Sequence, residues 1–489
     1  MRRLRKECIM LKPLTVIISS LLLAACTVGP AYQRPDSPLP NRFDQANTEA
    51  SQQDIGTGVW QAFGDPALDR LVARALADNT SIAQAFARWE EVRALRGLSP
   101  YSLFPTVTAD TEAERSKPSG QDPFIPSDQG RTDNYTAGFD ATWEIDLFGS
   151  LRNQKRAIVR RQDAAAAELQ QMRLSIVAET AQAYFALRGA EQQYRLAEAN
   201  QQSLVESVRL IGALLKAGRV NELDLTRLRA QQSAQAADVS RLRADIVRQE
   251  QRLAALTGWP VSTLRTEIGP EASMPALPSL VATGKPEDWL RRRPDVYAAE
   301  RTLAAAYSDV GTEMAEYFPK LNLLGGFGWT AQSAGELGSA SSERWRWGPS
   351  LSWSFLDFGR VKQNVRAADA RKNAAIAVYQ ETVLRALEET ENALAGYRAA
   401  NESAVNLAAA ADDAREAARL SRLRFEVGAD DALSYLDAER TRIDFEARAV
   451  TAETNRATAL VQLYKALAGD FAAKANPEVR LGDLETDGR

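Results

Sequence analysis

Trp143-Glu-Ile-Asp-Leu-Phe-Gly149 and Trp353-Ser-Phe-Leu-Asp-Phe-Gly359 are two copies of one short motif, and the second copy begins 210 residues after the first. Other short motifs recur in the same order at nearly the same spacing: Phe104-Pro105 and Phe318-Pro319, Glu179-Thr180 and Glu389-Thr390, Gly218 and Gly428, Gly258 and Gly469. A repeat of fixed period indicates a duplicated structural unit. The sequence therefore predicts a tandem duplication, with copies at residues 66–258 and 284–469 joined by a proline- and glycine-rich linker at 259–283.

Each motif ends a segment in which apolar and polar residues alternate. Asn134 to Phe148 places Tyr, Ala, Phe, Trp, Ile and Leu on one side and Thr, Gly, Asp and Glu on the other. A weaker alternating segment, Thr106 to Arg115, precedes it, and the second copy has segments at Leu321 to Thr330 and Arg346 to Phe358. A period of two predicts strands. We therefore expect one hairpin in each copy and four strands in the chain.

Two architectures suit strands with one apolar and one acidic face. In a soluble sandwich the apolar faces form a core, whereas in a membrane barrel they contact lipid and the polar faces line a channel. Tryptophans at the strand ends, such as Trp329, Trp345 and Trp353, favour the barrel. Because the smallest barrels have about eight strands, four strands require more than one chain. Two chains would supply about eight strands and three chains about 12, and only the larger barrel would leave a roomy lumen.

A long segment without proline follows each hairpin, at residues 150–217 and 360–427. A helix of that length would extend roughly 100 Å, at about 1.5 Å per residue. Leu174, Val177 and Ala181 follow the three-four spacing of coiled-coil seams. A returning helix is expected from Asn221 to Thr257. A filamentous coiled coil would also explain the helices, but it would not account for the hairpins.

The N-terminus has the pattern of a secretory signal. Basic residues precede a short apolar run from Leu14 to Ala25, which is too short for the roughly 20 residues of a membrane-spanning helix. The run ends in Leu23-Ala-Ala-Cys26, which resembles the lipobox of bacterial lipoproteins. This resemblance implies a signal peptide at 1–25, a covalent lipid on Cys26, a lipidated segment at 26–65 and sorting to the outer membrane.

The composition excludes several classes of function. The 489 residues include no histidine and two cysteines, which argues against imidazole catalysis, His/Cys metal sites and thiol redox pairs. With 60 Lys+Arg against 64 Asp+Glu, the net charge of −4 argues against nucleic-acid binding. We therefore expect neither an enzyme nor a cofactor, apart from the lipid. A polar tail is expected at 470–489.

Four stretches resemble one family: Cys26-Thr-Val-Gly-Pro-Ala-Tyr32, Trp60-Gln-Ala-Phe-Gly-Asp-Pro-Ala-Leu68, Arg292-Arg293-Pro294-Asp295-Val296 and Phe425-Glu-Val-Gly-Ala429. They are similar to the lipoprotein (NodT-type) branch of the TolC-like outer membrane factors. The resemblance implies a mixed α/β membrane protein of a Gram-negative bacterium. It would be a homotrimer with a 12-stranded outer-membrane β-barrel, continued by an α-helical coiled-coil barrel in the periplasm.

The family also implies a passive exit duct, which docks on a periplasmic adaptor and an inner-membrane pump of the resistance-nodulation-division class. Two alternatives are the outlet of a type I protein secretion system and a lipid-anchored coiled-coil spacer without a pore.

The resemblance assigns function to the two helix turns at the periplasmic end of the tunnel. Six residues of these turns are expected to dock the adaptor: Gly218, Arg219, Val220, Val427, Gly428 and Ala429. Four carboxylates are expected to contribute to a gate: Asp224, Asp437, Asp430 and Asp431. The family pattern has a bridging arginine in some members where this chain has Asp430, so Arg219, Arg422 and Arg424 are the candidates for bridging the gate here.

Overall fold

A computed structural model of the chain describes residues 27–35, 40–45, 63–117, 119, 121, 130–270, 274, 275, 277, 286 and 292–467. Cys26, the predicted signal peptide and the predicted polar tail lie outside these residues. The chain divides into two units, each of which contains parts of both sequence copies. The first comprises residues 1–36, 88–165 and 298–379, and the second comprises 37–87, 166–297 and 380–489.

The described residues form eight α-helices and four strands. The helices are α1 (Pro66–Asp78), α2 (Thr80–Leu98), α3 (Ser150–Lys216), α4 (Glu222–Thr257), α5 (Val261–Ile268), α6 (Pro294–Ala315), α7 (Arg360–Glu426) and α8 (Ala432–Ala466). The strands are β1 (Thr106–Ser116), β2 (Thr132–Ile145), β3 (Lys320–Ala331) and β4 (Glu343–Ser352). The long helices α3 and α7 have 67 residues each, as the proline-free segments predicted. Over the part of the chain described, no helix combines the length and apolar character needed to cross a membrane.

The four strands of the first unit form one antiparallel sheet in the order β1-β2-β3-β4. Residues directly opposite each other in neighbouring strands share a face. One row across the sheet is Ala109, Phe139, Phe327 and Trp345, and a second is Val107, Ala141, Gly325 and Trp347. The opposite face carries mostly polar residues, among them Asp110, Glu112, Glu114, Asp140, Thr142, Arg344 and Arg346. The sheet is therefore apolar on one side and polar on the other, as the alternation predicted.

An ion pair crosses the polar face of this sheet. Asp140 on β2 and Arg346 on β4 lie opposite the same residue of β3, Gly326. Their side chains meet over that glycine, with 2.8 Å between Arg346 Nη2 and Asp140 Oδ1. A Cβ atom at Gly326 would lie 2.7 Å from the Asp140 carboxylate. The glycine in the middle strand thus leaves the space that the ion pair occupies.

The soluble sandwich is not the architecture found. The described residues contain this one sheet, every residue of β1 is exposed in the single chain, and Trp345 and Trp347 are exposed on the apolar face. A sandwich would need a second sheet over that face. The two-faced sheet with long helices is instead the protomer expected of a multi-chain barrel.

Two strands end earlier than the alternation predicted. β2 ends at Ile145 rather than Phe148, and β4 ends at Ser352 rather than Phe358. The ends of β2 and β4 are both set by β3, which lies between them. β3 begins directly after Pro319, and its first two residues pair with Ser352 and Ile145. Since proline has no N–H to donate, the ladder stops there. A repeating residue pattern alone does not show where the partner strand ends.

The second unit contains the main apolar core. Leu68 and Leu71 of α1 are fully buried there, together with Tyr184 and Phe185 of α3 and Leu460 of α8. Two helices of this core were not predicted. One is α1, whose N-terminus is capped by Asp65; the other is α5, which lies within the predicted linker and buries Leu264 and Ile268 in the same core.

Candidate functional site

The first turn (residues 217–221) joins α3 to α4 through a left-handed glycine. Gly218 has φ 69°, and its N–H donates to the Leu215 carbonyl at 3.0 Å while the Arg219 N–H donates to the Leu214 carbonyl at 2.9 Å. This pair of bonds is the Schellman arrangement, which satisfies carbonyls at a helix end. Asn221 then caps α4, and its side chain accepts from the Asp224 N–H at 3.0 Å.

The second turn (residues 427–431) repeats this geometry between α7 and α8. Gly428 has φ 74°, and the Gly428 and Ala429 N–H groups donate to the Phe425 and Arg424 carbonyls at 3.0 and 2.8 Å. Asp431 replaces Asn221 as the cap and accepts from the Ser434 N–H at 2.8 Å. The two copies therefore make equivalent turns with different capping residues.

An apolar cluster of the second unit holds the two turns side by side. Seven buried residues from α3, α4 and α8 form it: Leu204, Ile211, Leu225, Leu228, Ala432, Tyr435 and Leu436. Phe425 stacks on Tyr435 with ring centroids 5.4 Å apart, and the Tyr435 hydroxyl lies 3.1 Å from Ser207 Oγ. A Cβ atom on Gly428 would lie 3.9 Å from an Arg219 guanidinium nitrogen, so these two residues of the predicted docking set lie next to each other.

The four predicted gate carboxylates have different environments in the single chain. Asp224 is buried and accepts from the Asn221 N–H at 3.3 Å, which completes a capping box. Asp437 is exposed over 62% of its side chain and forms an ion pair with Arg440 at 2.7 Å. These two residues are not equivalent in the repeat, because Ser434 occupies the place of Asp224. Each carboxylate bonds within its own helix turn.

Asp430 and Asp431 lie within the second turn itself. Arg424 makes two hydrogen bonds to Asp430, at 2.7 and 2.9 Å, and this guanidinium lowers the pKa of Asp430. The hydrogen bonds from Ser434 lower the pKa of Asp431. Of the three candidate bridging arginines, Arg424 therefore bonds an aspartate of the turn, while Arg422 bonds Glu426 at 2.9 Å.

A charged network above the turns was not predicted. Arg442 of α8, only 16% exposed, bonds Glu439 at 2.7 Å, Glu446 at 2.5 Å and the Asn200 side chain of α3 at 2.9 Å. Arg415 of α7 also bonds Glu446, at 3.0 Å. The spacing of the two glutamates around Arg442 can be read in the sequence as helical neighbours. The sequence does not show that these charged side chains are buried, or that they bond to α3 and α7.

The Arg292–Asp295 motif is distant in sequence from both turns and lies beside a helix end of the second unit. Arg293 is buried; it donates to the Ala466 carbonyl at the end of α8 at 2.7 Å and pairs with Asp295 and Glu389. Asn79 does the same in the first copy, since its side chain donates to the Leu256 carbonyl near the end of α4 at 2.9 Å. The motif thus connects the start of one helix to the end of another. Arg292 is exposed, and Pro294 begins α6.

Metal binding has no support in the described part of the chain, where no group of three or more His, Cys, Asp or Glu side chains could hold an ion. The predicted lipidation site, Cys26, is outside the described residues.

Comparison with known proteins gives concordant matches. The model of the family described as "Outer membrane efflux protein" matches residues 71–259 and 286–469. The chain is 31% identical to outer membrane protein OprJ of Pseudomonas aeruginosa, over 94% of this chain and 95% of that protein. It is 28% identical to the solvent efflux pump outer membrane protein SrpC of Pseudomonas putida, over 93% and 98%. The solved structure of the outer-membrane channel OprN is 37% identical, covers 91% of this chain and all of that one, and superposes with a TM-score of 0.86.

Proposed function

The chain belongs to the outer membrane efflux protein family, and from this premise we propose that three copies of it form the outer-membrane exit channel of a tripartite efflux pump. The observation that carries the proposal is the two-faced sheet whose outer strands, β1 and β4, each pair on one side within the described chain. A sheet in lipid must close so that no strand edge is left unpaired. Three protomers would close a barrel of about 12 strands, with the apolar faces towards lipid and the polar faces towards a lumen.

The partners follow from the same assembly. The surface formed by the first and second turns would dock a periplasmic adaptor, which in turn would connect the channel to an inner-membrane pump of the resistance-nodulation-division class. The channel would be passive and not an enzyme, in keeping with relatives that are named as outer membrane proteins of efflux pumps. Energy would come from the pump.

A lipid on Cys26 would anchor the N-terminus in the outer membrane. Mass spectrometry of the mature protein is expected to find an acylated N-terminal Cys26, and Cys26→Ser is expected to lose the lipid while the barrel still assembles. A wild-type protein without the acyl group would exclude the anchor.

Conductance in planar lipid bilayers tests the channel and its gate together. Asp224→Asn keeps an oxygen that can accept from the Asn221 N–H but removes the charge, and Asp437→Asn removes the second charge. If rings of these carboxylates constrict the closed end and bind cations there, the double variant is expected to show a higher single-channel conductance than the wild type. Asp238→Asn, on the exposed surface of α4, is the matched control. Unchanged conductance in the double variant would remove both aspartates from the gate, and a wild-type protein that does not conduct would exclude the channel.

A deletion strain tests the cargo. Relatives are named for efflux of solvents, toluene and antibiotics, so loss of this protein is expected to increase susceptibility to such small molecules. Unchanged susceptibility together with loss of a secreted protein would instead identify an outlet for protein secretion.

A further inference from the structure

The two sequence copies make the same hydrogen bond at the open end of each hairpin, away from the loop that joins its two strands. In the first copy the Trp143 indole N–H donates to the Leu103 carbonyl at 2.9 Å. In the second, the Trp353 indole N–H donates to the Tyr317 carbonyl at 3.1 Å. Residues from the second strand of each hairpin onwards therefore correspond at a shift of 210, and residues of the first strand, with those just before it, at a shift of 214. These two shifts convert any contact of one copy into a contact expected of the other.

A different contact joins the two hairpins and lacks its counterpart within the chain. Phe148 follows β2 and stacks on Phe318, which precedes β3, with ring centroids 4.5 Å apart and an interplanar angle of 17°. The corresponding residues are Phe358, which follows β4, and Phe104, which precedes β1. Phe358 is 93% exposed and Phe104 is 63% exposed. β4 and β1 are the two outer strands of the described sheet, so these rings lie beside edges rather than beside each other.

We propose that β4 of one protomer pairs with β1 of the next in the register that β2 and β3 use within the chain, and that Phe358 stacks on Phe104 of the neighbouring protomer. The inference rests on the multi-chain barrel of the proposed function and specifies which residues meet. Asp140 lies opposite Gly326 in the β2–β3 ladder. The two shifts convert this pair into Ser350 opposite Glu112 of the neighbour.

The side-chain faces support this register independently. Trp345 and Trp347 place the odd-numbered residues of β4 on the apolar face of the sheet, and Val107 and Ala109 do the same for β1. The converted register sets odd residues opposite odd ones, so both faces of the sheet continue across the junction. A slip by one residue would place every β4 apolar side chain beside the polar face of β1.

The junction would also extend β4 beyond Ser352, where its pairing with β3 ends. In β2, the residues from Trp143 to Ile145 are paired with β3. Their counterparts, Trp353 to Phe355, lie beyond the end of β4 in the single chain. Pairing with the neighbour's Ala109 to Val107 would extend β4 to Phe355, close to the end that the alternating pattern predicts.

Disulfide cross-linking of the full-length protein in membranes tests the register. Ser350→Cys combined with Glu112→Cys would place two thiols directly opposite, with Cβ atoms about 4.5–5.5 Å apart, whereas a pair displaced by two residues is about 7–8 Å apart. Mild oxidation is expected to yield covalent trimers on non-reducing gels for this pair. The slipped pairs, Ser350→Cys with Asp110→Cys or with Glu114→Cys, should cross-link far more slowly, and each single variant measures the background.

The outcomes separate the register from the assembly. A trimer by native mass spectrometry that cross-links preferentially through a slipped pair, or through none of the three, overturns the register. A protein that is not trimeric overturns the proposed assembly itself.

A double-mutant cycle tests the aromatic contact. Phe358→Ala and Phe104→Ala are each expected to speed trimer dissociation in detergent. If the rings stack, the double variant should be slower to dissociate than the product of the single effects predicts, by about 2- to 10-fold for each contact. Multiplicative effects would exclude the stack. Phe148→Ala is the control, since its partner is in the same chain.

Discussion

Replacing the glycine of the first turn with alanine is expected to weaken that turn, whereas the same replacement six residues earlier should strengthen the helix. Gly218 has φ 69°, and an added Cβ would meet no atom within 4 Å. Gly212 lies inside α3, and a Cβ there also meets nothing within 4 Å. The two substitutions thus add the same methyl group into open space and differ in backbone conformation alone.

The magnitudes follow from that difference. A left-handed conformation costs a residue with a Cβ roughly 1–2 kcal/mol, so Gly218→Ala should destabilise the turn by about that amount. Alanine is better than glycine inside a helix by roughly 0.5–1 kcal/mol, so Gly212→Ala should stabilise α3. Asparagine tolerates the left-handed region better than alanine, so Gly218→Asn should cost less than Gly218→Ala.

Hydrogen exchange measured by mass spectrometry can resolve these local effects on peptides that cover the end of α3 and the start of α4. A cost of 1–2 kcal/mol corresponds to about 5- to 30-fold faster exchange through local opening. Gly212→Ala should slow exchange in the same peptides. If both alanine variants change exchange in the same direction, the geometry assigned to Gly218 is wrong. Gly428→Ala should repeat the Gly218→Ala result in the second turn, where φ is 74°.

Three further predictions concern the second unit. Arg442→Leu should lower the stability of the fold by about 3–5 kcal/mol at neutral pH, because it leaves the largely buried Glu439 and Glu446 without their shared cation. Thermal unfolding followed by circular dichroism measures this loss. The control is Arg440→Leu, at an exposed side chain of the same helix, which should have little effect. Gly189→Ala should destabilise by about 1–3 kcal/mol, because its Cβ would overlap Thr454 Oγ1 and lie 2.7 Å from Cγ2, and adding Thr454→Ala should restore part of the loss in the same assay. Arg424 lowers the pKa of Asp430, so the stabilisation from this pair should be present above the ordinary pKa of 3.8 and be lost as the pH falls through the lower folded pKa. In a carboxyl NMR titration, Arg424→Gln should raise the midpoint of Asp430 towards 3.8. An unchanged midpoint would contradict the pairing.

Much of the candidate site could be predicted, and the rest depended on contacts distant in sequence. Gly218 and Gly428 marked both turns because a left-handed helix end favours glycine. The family resemblance predicted Asp224 as a gate residue; in the structure its carboxylate completes the capping box of α4, a role set by local backbone geometry. In the sequence, Arg442 is one of many arginines that lie between helical glutamates. Only the fold shows that it is largely buried and bonds to Asn200 of another helix.

The sequence by itself determined the duplication, the strand and helix types, the two-sided strands and the family, because each depends on periodicity or on short motifs. Tertiary structure decided what depends on partners. It joined the two hairpins into one sheet through β2 and β3, and it ended β4 where Pro319 stops the neighbouring strand. It also buried α5 within the predicted linker. The same limit applies to contacts between chains. Phe358 and Phe104 are exposed in the single chain, and a residue pattern does not show which chain supplies the partner of an apolar side chain.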